Sequence, residues 1–373
     1  MSPISSQYVF LFCGFLGLLV GTPFTLYLVI FLRLLPWVEA VLICCAMFVL
    51  LAVPLTVKVL SGREGLVFYR DVIFIFTGVT FTLRLLHQPV LPYLDVTIAG
   101  AGIFHAFGRI GCLFAGCCFG RPFPLGVRYG QVHADMGFPS ELVGVRLFPV
   151  QLLESLWILC LVGLTSVLIL RHSAPGLAVA VYISGYAVGR FVFEFARGDV
   201  ERPYLAGFSH AQWISWLLTL GVGMGGLIGV LPRRTAFLYA APVLAVTMLL
   251  VKLCRLRPDA GRFELLHPRH VLEVAALLRH LSASVRNRSV LSAAPAPRHP
   301  VEVVTTSLGL HLSVDRTQHR GRPIHIYSLS GERALSPRCV RILARLISRL
   351  QHDSTRFEVL DSGHGVVHIL FAA

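Results

Sequence analysis

Residues 177–197 read LAVAVYISGYAVGRFVFEFAR, an apolar run in which Tyr186, Arg190 and Glu194 recur at intervals of four. A run of about 20 apolar residues is long enough to cross the hydrocarbon core of a bilayer as a helix. Four-residue spacing places side chains on one helix face, with a drift of roughly 40° per step. Inserting an ionisable side chain at membrane depth costs about 2.5–3.5 kcal/mol of free energy, so its presence calls for a structural or functional explanation. An Arg–Glu pair can be purely structural, but the added tyrosine favours a functional cavity.

The rest of the chain has the composition of a membrane protein. Of its 373 residues, 55% are hydrophobic and 14% are charged, whereas soluble proteins carry roughly 25% charged residues. We predict a multi-pass, all-α membrane body over residues 1–254, with seven transmembrane helices and an eighth that follows them. Its apolar runs cover residues 8–32, 37–60, 66–86, 91–119, 150–170, 177–197, 210–231 and 236–254. The first run has no small-residue cleavage site, so we interpret it as a retained helix rather than a signal peptide.

The composition changes after Cys254. Residues 255–300 are predicted to form an amphipathic helix, over about 263–284, and a Pro- and Ala-rich linker, over 287–300. Residues 301–373 are predicted to form a small α/β accessory domain. Its strands are expected in VEVVTTS, LHLSV, IHIYSL, FEVL and VVHILF, and its helix is expected to begin with Ser336 as N-cap and Pro337 in the first turn.

Positive charge in this chain is almost entirely arginine. The net charge is +14, and only Lys58 and Lys252 are lysines. Arginine bias can reflect genome composition, but the guanidinium also recognises phosphate in a bidentate way. We therefore expect partners with anionic surfaces, lipid headgroups of the bilayer first. The sequence has no nucleic-acid motif, and we predict no nucleic-acid partner.

A second cluster lies where the fourth apolar run ends, in FHAFGRIGCLFAGCCFGRP, residues 104–122. Arg109 is surrounded there by Gly108, Gly111, Gly116 and Gly120. Glycine lets a backbone or a ligand approach closely, so we favour a phosphate clamp over a snorkelling arginine.

A third cluster, Gln151-x2-Glu154, opens the fifth run. A carboxylate near a helix N-terminus is also what the helix dipole favours. The connection over residues 120–149 is the longest in the body, and its length and Gly, Pro and Arg content predict a functional loop or lid.

Cys112, Cys117 and Cys118, with His105 nearby, are candidates for metal binding or redox chemistry. Structural zinc sites usually have paired C-x2–4-C ligands, whereas two of these cysteines are adjacent. We therefore predict no metal site.

Together these motifs resemble the prolipoprotein diacylglyceryl transferase family. The resemblance rests on segments that occur in order over about residues 5–232, which include seven of the runs. They are Gly108-Arg109-Ile110-Gly111 with Gly120-Arg121, Pro149-Val150-Gln151-Leu152-Leu153-Glu154, Tyr186-x3-Arg190-x3-Glu194 with Arg197, and Gly207-Phe208-Ser209-x2-Gln212-x2-Ser215.

The resemblance implies an enzyme of the bacterial inner membrane that needs no cofactor. Such an enzyme moves the diacylglyceryl group of phosphatidylglycerol to the lipobox cysteine of a prolipoprotein signal peptide and releases glycerol phosphate. It implies catalytic roles for Arg109, Arg190, Glu194, Tyr186 and Tyr69. It implies substrate binding by Arg109, Gly111, Gly120, Arg121, Gln151, Glu154 and Arg197. Either Glu194 or Tyr186 would orient Arg190 or relay the proton from the acceptor thiol.

The sequence departs from the family pattern at three places. Cys112 stands where the family usually has Asn, Cys117 where it commonly has Glu, and Tyr69-Arg70-Asp71 where it has a His-Gly-Gly segment. Two alternatives therefore stay open, a thiol-redox membrane protein that uses the three cysteines and a transporter or receptor for an anionic solute. The absence of an obvious internal repeat speaks against a transporter.

The charges of the loops and the resemblance predict opposite orientations. Positive residues are more frequent on one side, which the positive-inside rule places in the cytoplasm. That side carries Arg63, Arg121, Arg128, Arg146 and Arg202, and the other carries Arg33, Arg171, Arg233 and Arg234. We expect the first side, together with the C-terminal domain, to face outward, as the resemblance implies. Arginines that bind lipid headgroups raise the number of positive residues on that side, so the positive-inside rule does not apply to them.

Overall fold

The computed structural model describes residues 6–62, 68–256, 264–291, 301–319, 322–331, 335–352, 356–363 and 365–372. Within these ranges, each of the eight apolar runs coincides with one long helix. The helices are α1 (Ser6–Phe31), α2 (Pro36–Ser61), α3 (Phe68–Leu85), α4 (Val90–Ala115), α6 (Val150–Leu170), α7 (Leu177–Phe193), α8 (His210–Leu227) and α9 (Thr235–Arg255). A single turn, α5 (Gln131–Ala134), lies between α4 and α6.

Six of the described helices are long and apolar enough to cross a membrane. They are Tyr8–Phe31, Pro36–Leu60, Val90–Ala115, Val150–Leu170, Leu177–Ala196 and Thr235–Arg255. The chain is therefore a multi-pass helical membrane protein. That α3 and α8 also cross stays a prediction.

Helix α4 is central to the body and packs against α1, α6 and α7. Small residues bring α1 and α4 into close contact. A Cβ at Gly17 would lie 2.9 Å from Cβ of Phe107, and one at Gly100 would lie 2.2 Å from Cγ2 of Thr25. Close approach of this kind increases van der Waals contact where lipid supplies no hydrophobic driving force.

The fourth apolar run was expected to stay helical to residue 119, and this is wrong. Helix α4 ends at Ala115, because Gly116 adopts a left-handed conformation with φ of 73° and its N–H donates to the carbonyl of Cys112. This is a common way for a glycine to terminate a helix. Cys117, Cys118 and Phe119 therefore lie in the chain that leaves the helix end.

The connection over residues 120–149 is a folded unit rather than a simple loop. Strand β1 (Pro122–Arg128) pairs antiparallel with β2 (Arg146–Leu147), and α5 and a 3-10 turn (Ser140–Leu142) lie between them. A second small hairpin, β3 (Tyr204–Leu205) with β4 (Phe208–Ser209), precedes α8.

The predicted amphipathic helix is present, but its bounds differ from the expectation. Helix α10 covers Pro268–Leu291, so residues 287–291 are helical and do not belong to a linker. No proline or glycine occurs between 286 and 294, so nothing in the sequence ends the helix before Pro295. Residues 292–300 lie outside the described part of the chain.

The C-terminal segment forms a five-stranded antiparallel sheet, in which each predicted strand is found. The order is β5-β6-β7-β9-β8. The strands are β5 (Val303–Thr305), β6 (Leu310–His319), β7 (Arg322–Gly331), β8 (Glu358–Asp361) and β9 (Val367–Ala372). Helix α11 (Pro337–Gln351) begins as predicted, with the Ser336 hydroxyl accepting a hydrogen bond of 3.3 Å from the N–H of Cys339.

The C-terminal domain shares one hydrophobic core with the 120–149 connection. The core includes Phe138 and Leu142 of the connection, Leu278 of α10 and Ile347 of α11. Arg279 of α10 donates to the carbonyls of Ser140 and Val143, and Arg349 of α11 donates to that of Pro122 at 3.1 Å. The domain therefore lies on the same side of the body as the connection, as predicted.

Candidate functional site

The charges predicted on three different helices meet at one place. Arg109 comes from the end of α4, Glu154 from the beginning of α6 and Arg190 from the last turn of α7. Oε2 of Glu154 lies 2.9 Å from Nε of Arg109, and its Oε1 lies 2.6 Å from Nη1 of Arg190. Arg109, Glu154 and Arg190 are only 8%, 3% and 7% exposed, respectively. One buried carboxylate thus joins the two arginines that sequence analysis proposed as phosphate clamps.

The ion pairs continue beyond Arg190. Its Nη2 lies 2.9 Å from Oε2 of Glu194, and Arg202 binds the other oxygen of Glu194. Nε of Arg202 lies 3.3 Å from Asp199, which also receives two hydrogen bonds from Arg197, of 2.7 and 2.8 Å. We name this alternating series the charge ladder. Its members are Arg109, Glu154, Arg190, Glu194, Arg202, Asp199 and Arg197.

The charge ladder carries more positive than negative charge. Among its described members, four guanidinium groups alternate with three carboxylates, so the series as described has a net charge of one positive unit. Removing charges from water is costly unless they are paired and hydrogen-bonded. A buried series of ion pairs with a net positive charge favours the binding of one anionic group.

Tyr186 lies beside the ladder, one helical turn before Arg190. Its ring packs edge-on against His105 of α4, with ring centroids 5.1 Å apart. Tyr182 stacks on its other side at 6.3 Å. From the sequence, His105 is only a possible metal ligand, and its contact with Tyr186 is a finding of the structure. The four-residue interval from His105 to Arg109 was a signal for a shared helix face.

Gly120 and Arg121 anchor the 120–149 connection to the end of the ladder. Gly120 forms an isolated antiparallel bridge with Arg197, and a Cβ at Gly120 would lie 2.3 Å from the carbonyl oxygen of Phe148. Arg121 donates from its backbone N–H to Ala196 at 3.0 Å and from Nε to the carbonyl of Arg197 at 3.3 Å. Burial lowers the pKa of Arg121. Both residues therefore lie next to the ladder, and their expected role in substrate binding stays a prediction.

Gln151 lies near the ladder but supports another feature. Its side-chain amide donates to the carbonyl of Cys117 at 2.7 Å and approaches the hydroxyl of Tyr129 at 3.4 Å. That hydroxyl donates to the carbonyl of Leu113 at 3.0 Å, and burial raises the pKa of Tyr129 to about 12. Gln151 and Tyr129 thus hold the chain that leaves α4.

Two predicted site residues lie elsewhere or cannot be placed. Gly111 packs against α1, where an added Cβ would lie 3.1 Å from Cδ2 of Phe10 and 3.2 Å from Cβ of Cys13. Tyr69 is in the first turn of α3, and its side chain lies outside the described part of the structure. Arg202, by contrast, is a ladder member that sequence analysis counted only as a loop charge.

Cys112, Cys117 and Cys118 form a thiol cluster at the end of α4. The N–H of Cys117 donates to the carbonyl of Cys112 at 3.2 Å, and Cys118 has a φ of 56°, which is unusual for a residue with a side chain. The three Sγ atoms lie within 4.8 Å of one another. The left-handed residues at 116 and 118 turn the chain back over the helix end, and this brings the three thiols together.

The guanidinium groups of the ladder act on this cluster. The pKa of Cys118 lies well below the usual value for a thiol. Hydrogen bonds from the thiols of Cys112 and Cys117 lower it most, burial opposes them, and the positive charges of Arg197 and Arg109 lower it further. The thiol cluster and the charge ladder are therefore parts of one site.

Comparison with known proteins identifies the family. A sequence model described as prolipoprotein diacylglyceryl transferase matches residues 25–229. A phosphatidylglycerol–prolipoprotein diacylglyceryl transferase of Clostridium tetani is 32% identical over 137 residues, which are 36% of this chain and 52% of that protein. A protein of the same name from Dehalococcoides mccartyi is 30% identical over 160 residues, 43% of this chain and 59% of the relative.

The chain thus matches about half to three-fifths of the length of these curated relatives. No solved structure matches the chain. The matched region covers more than half of the chain and contains the whole charge ladder. The chain therefore belongs to the prolipoprotein diacylglyceryl transferase family.

Proposed function

We propose that this chain transfers the diacylglyceryl group of phosphatidylglycerol to the cysteine thiol of a prolipoprotein signal peptide, in the inner membrane of a bacterial cell. Membership of the family and the activity for which its relatives are named support this reaction. The observation that carries the proposal is the charge ladder, which is buried where α4, α6 and α7 meet and whose described members carry one more positive than negative charge.

The excess charge fits the donor lipid. The phosphodiester of phosphatidylglycerol carries one negative charge, and the departing glycerol phosphate develops a second. Arg109 and Arg190 are the donors that would hold the phosphate and stabilise the charge that grows on the leaving group. Donors fixed in advance in a site without water stabilise such charge strongly, and the loss of one typically costs about 100- to 1,000-fold in rate.

The carboxylates of the ladder act as positioning residues in this proposal. Glu154 uses one oxygen for Arg109 and the other for Arg190, and Glu194 uses its two oxygens for Arg190 and Arg202. A carboxylate engaged in this way orients guanidinium groups and is poorly suited to take a proton. Of the two residues considered for the proton relay, we therefore assign that role to Tyr186.

The test is a transfer assay with purified full-length protein, labelled phosphatidylglycerol and a lipobox peptide. We expect a labelled thioether peptide and equimolar glycerol phosphate. Arg109→Lys and Arg190→Lys keep the charge but lose the forked geometry, and we expect each to lower turnover at least 100-fold. Arg171→Ala is the control, because Arg171 is exposed at the far end of α6.

The assay also separates the alternatives. A transporter or receptor for an anionic solute would bind phosphatidylglycerol or glycerol phosphate without forming a thioether. Unchanged turnover in both lysine variants would contradict the roles assigned to the two arginines.

A further inference from the structure

The thiol cluster is not used by the function proposed above. Its three Sγ atoms lie within 4.8 Å of one another. Cys112 is buried, Cys118 is intermediate in exposure and Cys117 is exposed. The cluster is therefore closed on the side of α4 and open on the other side.

The spacing of the thiols fits a metal ion with little movement. Zinc binds thiolate sulfur at about 2.3 Å in tetrahedral geometry, so two ligand sulfurs are about 3.8 Å apart. Because the three Sγ atoms lie no more than 4.8 Å apart, each sulfur–sulfur distance needs to shorten by about 1 Å or less to reach this value.

The surroundings of the cluster favour a zinc trithiolate. Such a group carries one negative charge, and Cys118 lies two residues before Gly120, which forms a backbone bridge with the buried Arg197. The amide of Gln151 fixes the carbonyl of Cys117 at 2.7 Å, as supporting residues around metal ligands commonly do.

We propose that Cys112, Cys117 and Cys118 bind a zinc ion as three thiolates, and that the open fourth position takes the acceptor thiol. The second half of this statement rests on the function proposed above. Zinc sites with three protein ligands and one open position are typical of catalytic rather than structural zinc. The exposed side, at Cys117, is the side from which a peptide thiol can approach.

The chemistry balances without another reactant. The acceptor thiol loses its proton when it binds zinc, because a coordinated thiol is deprotonated, and Tyr186, the relay assigned above, passes that proton on to solvent. The thiolate sulfur then attacks the methylene carbon that carries the phosphate of phosphatidylglycerol. The C–S bond forms, the C–O bond breaks, and glycerol phosphate leaves with the electron pair and takes up a proton. The zinc thus supplies the thiolate that the reaction needs.

The first test uses cobalt as a spectroscopic probe. Full-length protein, reduced and stripped of metal, is titrated with Co²⁺ in detergent. We expect one Co²⁺ per chain, with thiolate charge-transfer absorption in the near ultraviolet and tetrahedral bands in the visible range. Cys112→Ser, Cys117→Ser and Cys118→Ser should each weaken binding at least tenfold. Cys160→Ser is the matched control, since Cys160 is an exposed cysteine on α6. Zn²⁺ should displace the cobalt.

The second test addresses the fourth position. A lipobox peptide with cysteine should shift the visible bands of the cobalt protein, whereas the same peptide with serine should not. A protein with three reduced thiols, as counted by alkylation, that binds neither Co²⁺ nor Zn²⁺ would overturn the metal site. Full transfer by a metal-free protein in which all three cysteines are serine would overturn the role in acceptor activation.

The two proposals fail separately. Tight cobalt binding with no transfer of the diacylglyceryl group would reject the proposed function and keep the metal site. Transfer without metal binding would reject the metal site and keep the function. A disulfide between two of the three cysteines in the protein as isolated, detected by mass spectrometry and resistant to added Zn²⁺, would support the redox alternative instead.

Discussion

Glu154 of α6 accepts a hydrogen bond of 2.6 Å from Arg190 of α7, and its second carboxylate oxygen lies 2.9 Å from Arg109 of α4. One side chain therefore fixes the relative positions of three helices and of both candidate phosphate ligands. Removal of one partner from a buried ion pair typically costs about 3–5 kcal/mol, because the remaining charge is left uncompensated.

We expect Glu154→Ala to lower the free energy of unfolding by about 3–5 kcal/mol. Glu154→Gln keeps the shape of the side chain, so this variant should be more stable than the alanine variant. Its turnover should still fall at least 100-fold, since a neutral amide no longer holds Arg109 and Arg190 in position. Denaturant titration in detergent and the transfer assay measure the two effects. Glu201→Gln, at an exposed position near the ladder, should change neither. Normal turnover by Glu154→Gln would show that the ladder is structural only.

Arg202 is the ladder member whose role comes from the structure alone. It binds Glu194 and donates from Nε to the carbonyl of Asp199 at 3.1 Å. We expect Arg202→Ala to lower kcat/KM by about 10- to 100-fold, because Glu194 then no longer orients Arg190. The exposed Arg234, before α9, provides the control Arg234→Ala. A change in stability with kcat/KM unaltered would limit Arg202 to a structural role.

Periodicity predicted part of this site, and tertiary contacts decided the rest. The four-residue interval placed Tyr186, Arg190 and Glu194 on one helix face, because that spacing is a property of the helix itself. The bridge through Glu154 depends on how α4, α6 and α7 pack, which no local pattern contains. Arg202 lies eight residues after Glu194, beyond the end of α7, so the helical interval does not predict their contact.

The thiol cluster is a second feature that the local sequence pattern did not predict. The sequence spacing of Cys112 and the adjacent pair Cys117-Cys118 argued against a common site. The left-handed conformations of Gly116 and Cys118 reverse the chain, and the reversal brings the three sulfurs together. A single unexpected turn therefore changed the chemistry that the same residues can perform.

Asp95 provides a prediction about stability rather than catalysis. Its carboxylate, on α4, accepts hydrogen bonds from the backbone N–H groups of Gly176 at 2.6 Å and of Val179 at 2.8 Å, at the N-terminus of α7. We expect Asp95→Asn to cost about 1–3 kcal/mol, because an amide cannot accept both bonds with charged oxygens. Thermal unfolding should show the loss, and the turnover of the folded fraction should be preserved. Asp135→Asn, at an exposed position, is the control. An unchanged melting temperature would contradict the capping role of Asp95.

The C-terminal domain should lose stability as the pH falls, through His352. Burial, and then the positive charge of His325, lowers the pKa of His352 from 6.5 to about 4. Its Nε2 lies 2.9 Å from the hydroxyl of Tyr327, and its ring stacks on Phe371 at 4.4 Å. Because the folded state disfavours the charged ring, the stabilising effect is complete above pH 6.5 and is lost as the pH falls towards 4. For a half-buried side chain we expect a loss of about 1 kcal/mol, since water screens part of the effect.

Hydrogen exchange of the full chain measures this loss without isolating the domain. After correction for intrinsic rates, amides of β7 and α11 should exchange faster at pH 5 than at pH 7. His352→Phe removes the titrating group and keeps a ring to stack on Phe371, so it should abolish most of the difference. His280→Gln, at a histidine whose side chain is 63% exposed, should leave the difference as it is. Equal acceleration in the wild type and in His352→Phe would mean that another group senses the pH.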